Sequence, residues 1–194
     1  MACNLTLADV GYDCTDLGIG GLKAVYLANR DELITGDGNG NPFVSVTGGA
    51  VTVTPDAASA GAPNNTLYSD GDAIKVEFNL KDGFSVFTDV KTVSADGIVS
   101  TVPTIAIEIP KMSPAHRDAL NDMAKAGAEL VAFVETAAGT YHMIGFDYGL
   151  YAATVDGTSG TGRAEKNRYQ LTLTGDEDSL AYHLDSNNWA KIAG

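Results

Sequence analysis

Short runs in which every second residue is apolar, fenced by glycine, constrain this chain more than any other feature. Ile74, Val76, Phe78 and Leu80 alternate with Lys75, Glu77 and Asn79. A β-strand turns successive side chains to opposite faces, so such a run makes a strand with one buried face. Ile105, Ile107 and Ile109 repeat the pattern up to Pro110, and Arg168–Thr174 carries it again. Glu129–Glu135 differs: Leu130, Ala132 and Val134 stand against Val131 and Phe133, apolar on both faces, which marks a central strand. The chain has 22 glycines spread among many short segments. Together these features predict a mainly β fold of roughly eight to ten strands, a β-sandwich or partly closed barrel.

At 194 residues the chain is read as one domain, 1–194, long enough to bury a core without disulfide or metal staples. Leu22–Leu27 is the first strand, and Phe43–Thr47 and Ala50–Thr54 are weaker ones. A long exposed loop or arm lies within 36–73, because Pro55–Thr66 has no apolar face to pack. Ala73–Leu80 and Phe84–Val93, joined by Lys81-Asp82-Gly83, make the best hairpin candidate. One flanking helix is expected over 113–126, with Ser113 as N-cap, Pro114 at its first position, an apolar stripe of Leu120, Met123 and Ala124, and Gly127 at its end. From Gly139 a strand runs to a break at Gly145. A second strand covers Gly149–Val155, and the loop Asp156–Asn167 leads to Arg168–Thr174. Leu180–Leu184 closes the sheet, and a short C-terminal tail, 185–194, carries the single Trp189, free to dock on its own domain or on a neighbour.

The search for chemistry nominates no catalytic, cofactor-binding or metal-ligating residue. His116 sits on a predicted helix, and His142 and His183 lie in separate predicted strands without local ligand spacing. Thr158-Ser159-Gly160-Thr161-Gly162 is a flexible loop, not a nucleophile elbow, and no phosphate-binding loop is present. Gly18-Ile19-Gly20-Gly21 precedes a strand and lacks the frame of a dinucleotide loop. Asp37–Asn41 opens like a calcium loop, but Pro42 and Gly48 stand where its glycine and bidentate glutamate belong. Cys3 and Cys14 have no metal-binding spacing and are read as reduced. Carboxylates are plentiful, but aromatic content is 8%, poor for a sugar-hydrolysing platform. The chain is therefore expected not to be an enzyme and to need no cofactor.

The formal charge of −13 repels free nucleic acid and argues against a sequence-reading DNA or RNA binder. Acidic walls would equally serve a surface that conducts DNA without holding it. Arg163, Lys166 and Arg168 form the densest basic patch, suited to an acidic face on another copy of the chain. No run approaches the roughly 18 apolar residues of a membrane span. The first residues lack the pattern of a secretory signal, so synthesis in a cytoplasm is expected.

The order of elements from Ile105 to Tyr182 adds a resemblance. A strand ending Ile107-Glu108-Ile109-Pro110-Lys111-Met112-Ser113 leads into the helix. After the central strand come Gly139-x-Tyr141-x-x-x-Gly145, Tyr148-Gly149-Leu150, a Ser159-Gly160-Thr161 loop, and Tyr169-Gln170-Leu171-Thr172-Leu173-Thr174-Gly175-Asp176-Glu177. This series resembles the tail tube proteins of tailed bacteriophages, of the type found in phages of Bacteroidetes-like hosts. The resemblance implies a β-sandwich or barrel with a flanking helix and a virion structural role. It also implies homohexameric rings that stack around a DNA-conducting lumen, by contacts with the chain's own copies and with other tail proteins. DNA would pass without sequence-specific binding, and the location would be the virion tail. Two alternatives stand beside it: another tail or head-tail connector component, such as a terminator or completion protein, and a monomeric carbohydrate-binding or adhesin-like β-sandwich.

Overall fold

In the computed structural model the described residues are 20–36, 41–54, 76–79, 85–110, 112–125, 127–160 and 167–193. They form, in chain order, β1 (Leu22–Asn29), α1 (Arg30–Thr35), β2 (Val44–Thr47), β3 (Ala50–Val53), β4 (Val76–Asn79), β5 (Val86–Val93), β6 (Val99–Pro110), α2 (Pro114–Met123), β7 (Leu130–Thr136), β8 (Tyr141–Ile144), β9 (Leu150–Thr158), β10 (Arg168–Gly175), β11 (Tyr182–Leu184) and α3 (Ser186–Ala193). The fold is mainly β, as the alternation predicts; besides the one expected helix, α2, two short helices, α1 and α3, were not foreseen.

Nine strands share one antiparallel sheet, and β2 and β3 pair as a separate hairpin. The large sheet has two halves. One runs β4-β1-β7-β8-β11, the other β9-β10-β6-β5, and among the described residues the only ladder pairing that joins them is Leu130 with Leu150. The sheet folds over at that corner, so the halves face each other. The corner depends on glycine. Gly145 has a φ of 83°, and a Cβ there would stand 2.5 Å from the Leu150 side chain and 2.8 Å from the Leu130 carbonyl oxygen. A Cβ on Gly175 would fall 2.5 Å from the carbonyl oxygen of Gly149.

Two cores follow. Between the halves lie Val25, Leu27, Ala132, Val134 and Ile144 from one and Ile105, Ile107, Leu171 and Leu173 from the other, with Leu120 and Met123 of α2. The opposite face of the first half buries Tyr26, Ala28, Val131, Phe133 and Met143 under Leu33 of α1, Val44 and Val53 of the β2–β3 hairpin, and Trp189 and Ile192 of α3. β7 thus contributes to both cores, which is why its run is apolar on both faces. Each large side chain so buried stabilises the fold by about 1.5–3 kcal/mol.

Three sequence expectations need correction. First, Ala73–Leu80 and Phe84–Val93 do not form a hairpin with each other: β4 pairs with β1, and β5 pairs with β6. Alternation states which face of a strand is buried and is silent on its edge partner. The first half of β6, Val99–Thr104, pairs with β5 where the outer part of the hairpin is exposed, and so lacked an apolar face to announce it. Second, the tail 185–194 contains a helix, α3, and of the two places open to Trp189 it takes its own domain. It stacks on Tyr141 at 4.7 Å and meets Tyr26 edge-on at 5.3 Å. Third, β9 runs to Thr158, three residues beyond the expected Val155. α2 is the expected helix, with the Ser113 hydroxyl accepting from the His116 N–H, but it ends at Met123, with Ala124 as its cap. The arm Pro55–Thr66, most of 36–73, Cys3, Cys14, Arg163 and Lys166 lie outside the described residues.

Candidate functional site

Among the described residues no three His, Cys, Asp or Glu side chains gather as a metal cage. No described helix is long and apolar enough to cross a membrane. What the structure presents is a surface. The β5–β6 hairpin pairs from Val86–Ala106 out to Val93–Val99, and its turn is closed by the Ser94 N–H to the Ile98 carbonyl with Gly97 at a φ of 79°. The base of β5 is tied down: the Asp89 carboxylate accepts from the Ala181 N–H at 2.6 Å, and the Lys91 ammonium reaches the Asp178 carbonyl at 3.4 Å. Beyond that base every residue from 90 to 100 is exposed, including Val90 (56%), Val93 (66%) and Ile98 (68%). Val90 pairs with Val102 on one face of the ribbon and Val93 with Val99 on the other, so exposed apolar side chains stand on both faces and make it a candidate contact surface.

The edges agree with that reading. Among the described residues no strand pairs with the outer edge of β5, and β9 meets β7 only at Leu150. Unpaired edges are templates for adding strands. The outer face of this half-sheet is made mainly of small side chains, with the exposed Tyr151 in register with Thr174, and is nearly uncharged. Register lines up Val86, Ala106, Thr172 and Thr154 across four strands, and Thr88, Thr104 and Thr174 beside them. Charge is confined to one end of it, where Arg168 pairs with Glu108 near Asp156. Arg168, expected in a basic patch facing another copy, is thus engaged on its own sheet.

The corner holds a second feature. The turn 145–149 is clamped from both sides. Arg30 Nε donates to the Phe146 carbonyl at 2.9 Å and Arg30 Nη2 to the Asp147 carbonyl at 2.5 Å, while Arg30 Nη1 pairs with Glu129. From the other side the Glu177 carboxylate accepts the N–H groups of Asp147 (3.0 Å) and Tyr148 (3.3 Å), and its own backbone N–H donates to the Thr101 carbonyl. Burial pushes the Glu177 carboxyl up to about 7, against the opposing pull of those two amides, and the neighbouring Asp147 adds to the rise. Tyr182 and Tyr148 donate their hydroxyls to Asp147 and Asp178. The phenol of Tyr148 is raised by its bond to Asp178, and that of Tyr182 chiefly by burial. Outside this turn opens a groove of about 470 Å³ walled by Ile34, Val44, Val46, Phe146, Tyr148 and Asp178.

Sequence reasoning missed the hairpin, because its outer half has no apolar–polar contrast, and missed Glu177, because nothing local marks a carboxylate that caps a turn thirty residues away. It also separated two residues that the fold joins. His142 of β8 and His183 of β11 are direct cross-strand partners, with ring centroids 5.5 Å apart. His116 stays apart on α2. No family model matches this chain, and neither a curated protein nor a solved structure matches it.

Proposed function

We propose that this chain is a virion structural protein, a tail tube subunit that forms stacked homohexameric rings around a DNA-conducting lumen. The observation that carries the reading is the half-sheet β9-β10-β6-β5: among the described residues β5 has no outer partner, β9 meets β7 only at Leu150, and a hairpin with exposed apolar residues stands at one end. A unit of that kind satisfies its edges by pairing β5 of one copy with β9 of the next, a heterologous contact that closes when the rotation per copy divides a full turn. The hairpin then reaches into the neighbouring ring. A Thr/Val face with its one arginine neutralised suits a wall past which DNA slides, and the overall charge of −13 discourages sticking. The experiment is mass photometry and negative-stain microscopy of purified protein over a wide concentration range. Rings or stacked tubes of six-fold symmetry are expected.

A monomeric carbohydrate-binding module is the second reading, favoured by the open groove beside Phe146 and Tyr148 with acceptors on Asp147 and Asp178. A particle that stays monomeric at every concentration and is stabilised against heat by a glycan overturns the first reading and supports this one.

A further inference from the structure

We propose that His142 and His183 form a two-imidazole site for a borderline transition-metal dication, of which Zn²⁺ is the natural probe. The inference does not depend on the assembly reading. It rests on the register of β11 against β8, which sets the two histidines directly opposite each other. Their rings lie 5.5 Å apart between centroids and are tilted by 38°. Two imidazoles on one tetrahedral zinc, each at about 2.0–2.1 Å from the metal, hold their centroids about 5 Å apart. The observed centroid separation is within about half an ångström of that value.

Each ring already has the outer hydrogen bond that metal-bound histidines use. His183 Nδ1 lies 2.9 Å from the Tyr141 carbonyl oxygen, which can only accept, so Nδ1 carries the proton and Nε2 keeps its lone pair. His142 Nε2 lies 3.1 Å from the Thr140 hydroxyl, itself held at 2.7 Å by the Thr136 hydroxyl. With Nε2–H donating there, His142 Nδ1 is left with its lone pair. Among the described residues no hydrogen bond engages His142 Nδ1 or His183 Nε2. Phe87 lies 5.8 Å from the His142 ring on one side and fixes its plane. His183 is exposed, so water completes the coordination sphere. Imidazole nitrogens select Zn²⁺, Ni²⁺ and Cu²⁺ over Mg²⁺ and Ca²⁺.

The test titrates Zn²⁺ into the full chain carrying Cys3→Ser and Cys14→Ser, which removes the competing thiols, and follows the three histidine ring resonances by NMR. His142 and His183 are expected to shift together with one constant and to saturate at one equivalent, while His116 responds only at concentrations at least about tenfold higher. His183→Asn, an exposed change, is expected to weaken binding at least about tenfold, and His142→Gln likewise; amide spectra of the other residues report that each variant is folded. Equal concentrations of Mg²⁺ are expected to shift neither ring. The proposal is overturned if His142 and His183 titrate separately, if His183→Asn binds Zn²⁺ as tightly as the parent, or if Mg²⁺ produces the same shifts.

Discussion

Glu177 shows what one residue contributes to this fold. Its carboxylate satisfies two amides of the turn that joins the sheet halves, and Arg30 satisfies two carbonyls of the same turn. An unpaired buried amide would cost about 1–3 kcal/mol, so the turn holds its shape because both ends of its peptide dipoles are met. The residue is 7% exposed, and its carboxyl proton leaves near 4.5 in an ordinary setting but near 7 in the folded chain. Between those values the folded state holds a proton that the unfolded state has lost. This group's contribution is therefore greatest below pH 4.5, falls as pH rises towards 7, and is level beyond, with a span of about 3 kcal/mol at most. Glu177→Gln is expected to flatten the slope of unfolding free energy between pH 5 and 7 relative to the parent, measured by urea denaturation at fixed ionic strength. Parallel pH profiles for the two proteins would show that the carboxyl does not titrate in that window.

Among the elements, α3 is the one whose role was hardest to foresee. Its sequence, SNNWAKIA, is short and polar, and a helix of eight residues is not stable by propensity alone. Docking holds it. Asn188 is buried and behaves as a strand partner: its side-chain oxygen accepts from the Val53 N–H at 3.1 Å, and its amide nitrogen donates to the Val51 carbonyl at 2.9 Å. Lys191 adds a bond to the Val53 carbonyl, and Trp189 and Ile192 fill the second core. The helix thus covers one edge of β3 with side chains. Asn188→Ala removes both bonds without touching the surface and is expected to destabilise the protein by about 1–3 kcal/mol. Thermal unfolding would read this as a midpoint lowered by about 2–4 °C for each kcal/mol. A midpoint unchanged from the parent would mean that α3 is not held on β3 in solution.

At the scale of the whole molecule, the contrast lies between two sheet halves treated differently by the rest of the chain. The half around β7 is covered on both faces, by the other half-sheet and by the helices with the β2–β3 hairpin. The outer face and edges of the half around β6 carry no such layer among the described residues, and its hairpin projects. Assembly of copies would bury what the single chain leaves open. Val93→Lys changes an exposed residue of the ribbon, so its effect on the stability of the isolated chain is expected to stay within about ±0.5 kcal/mol. Its effect on assembly is expected to be large, with rings or tubes lost in sedimentation velocity. If the variant assembles as the parent does, the hairpin is not the contact.

Strand existence and burial were legible in the residues themselves. The alternation of Ile105–Ile109 and Arg168–Thr174, the two-faced run Leu130–Val134, and the Ser113-Pro114 helix start are local signals, because side-chain direction and capping depend on neighbours only a few positions away. Pairing was not legible. That β4 joins β1 and β5 joins β6, that His142 meets His183, and that Glu177 caps the turn at 147–148 all depend on contacts between distant segments. Three of these are strand pairings, each within one half-sheet, and the fourth belongs to the corner at 145–149. The sequence by itself determined a mainly β chain with a central strand and a flanking helix. The tertiary structure alone decided which edges pair and which polar groups meet, since the backbone groups that join strands are common to every residue and only the packing of distant segments selects among them.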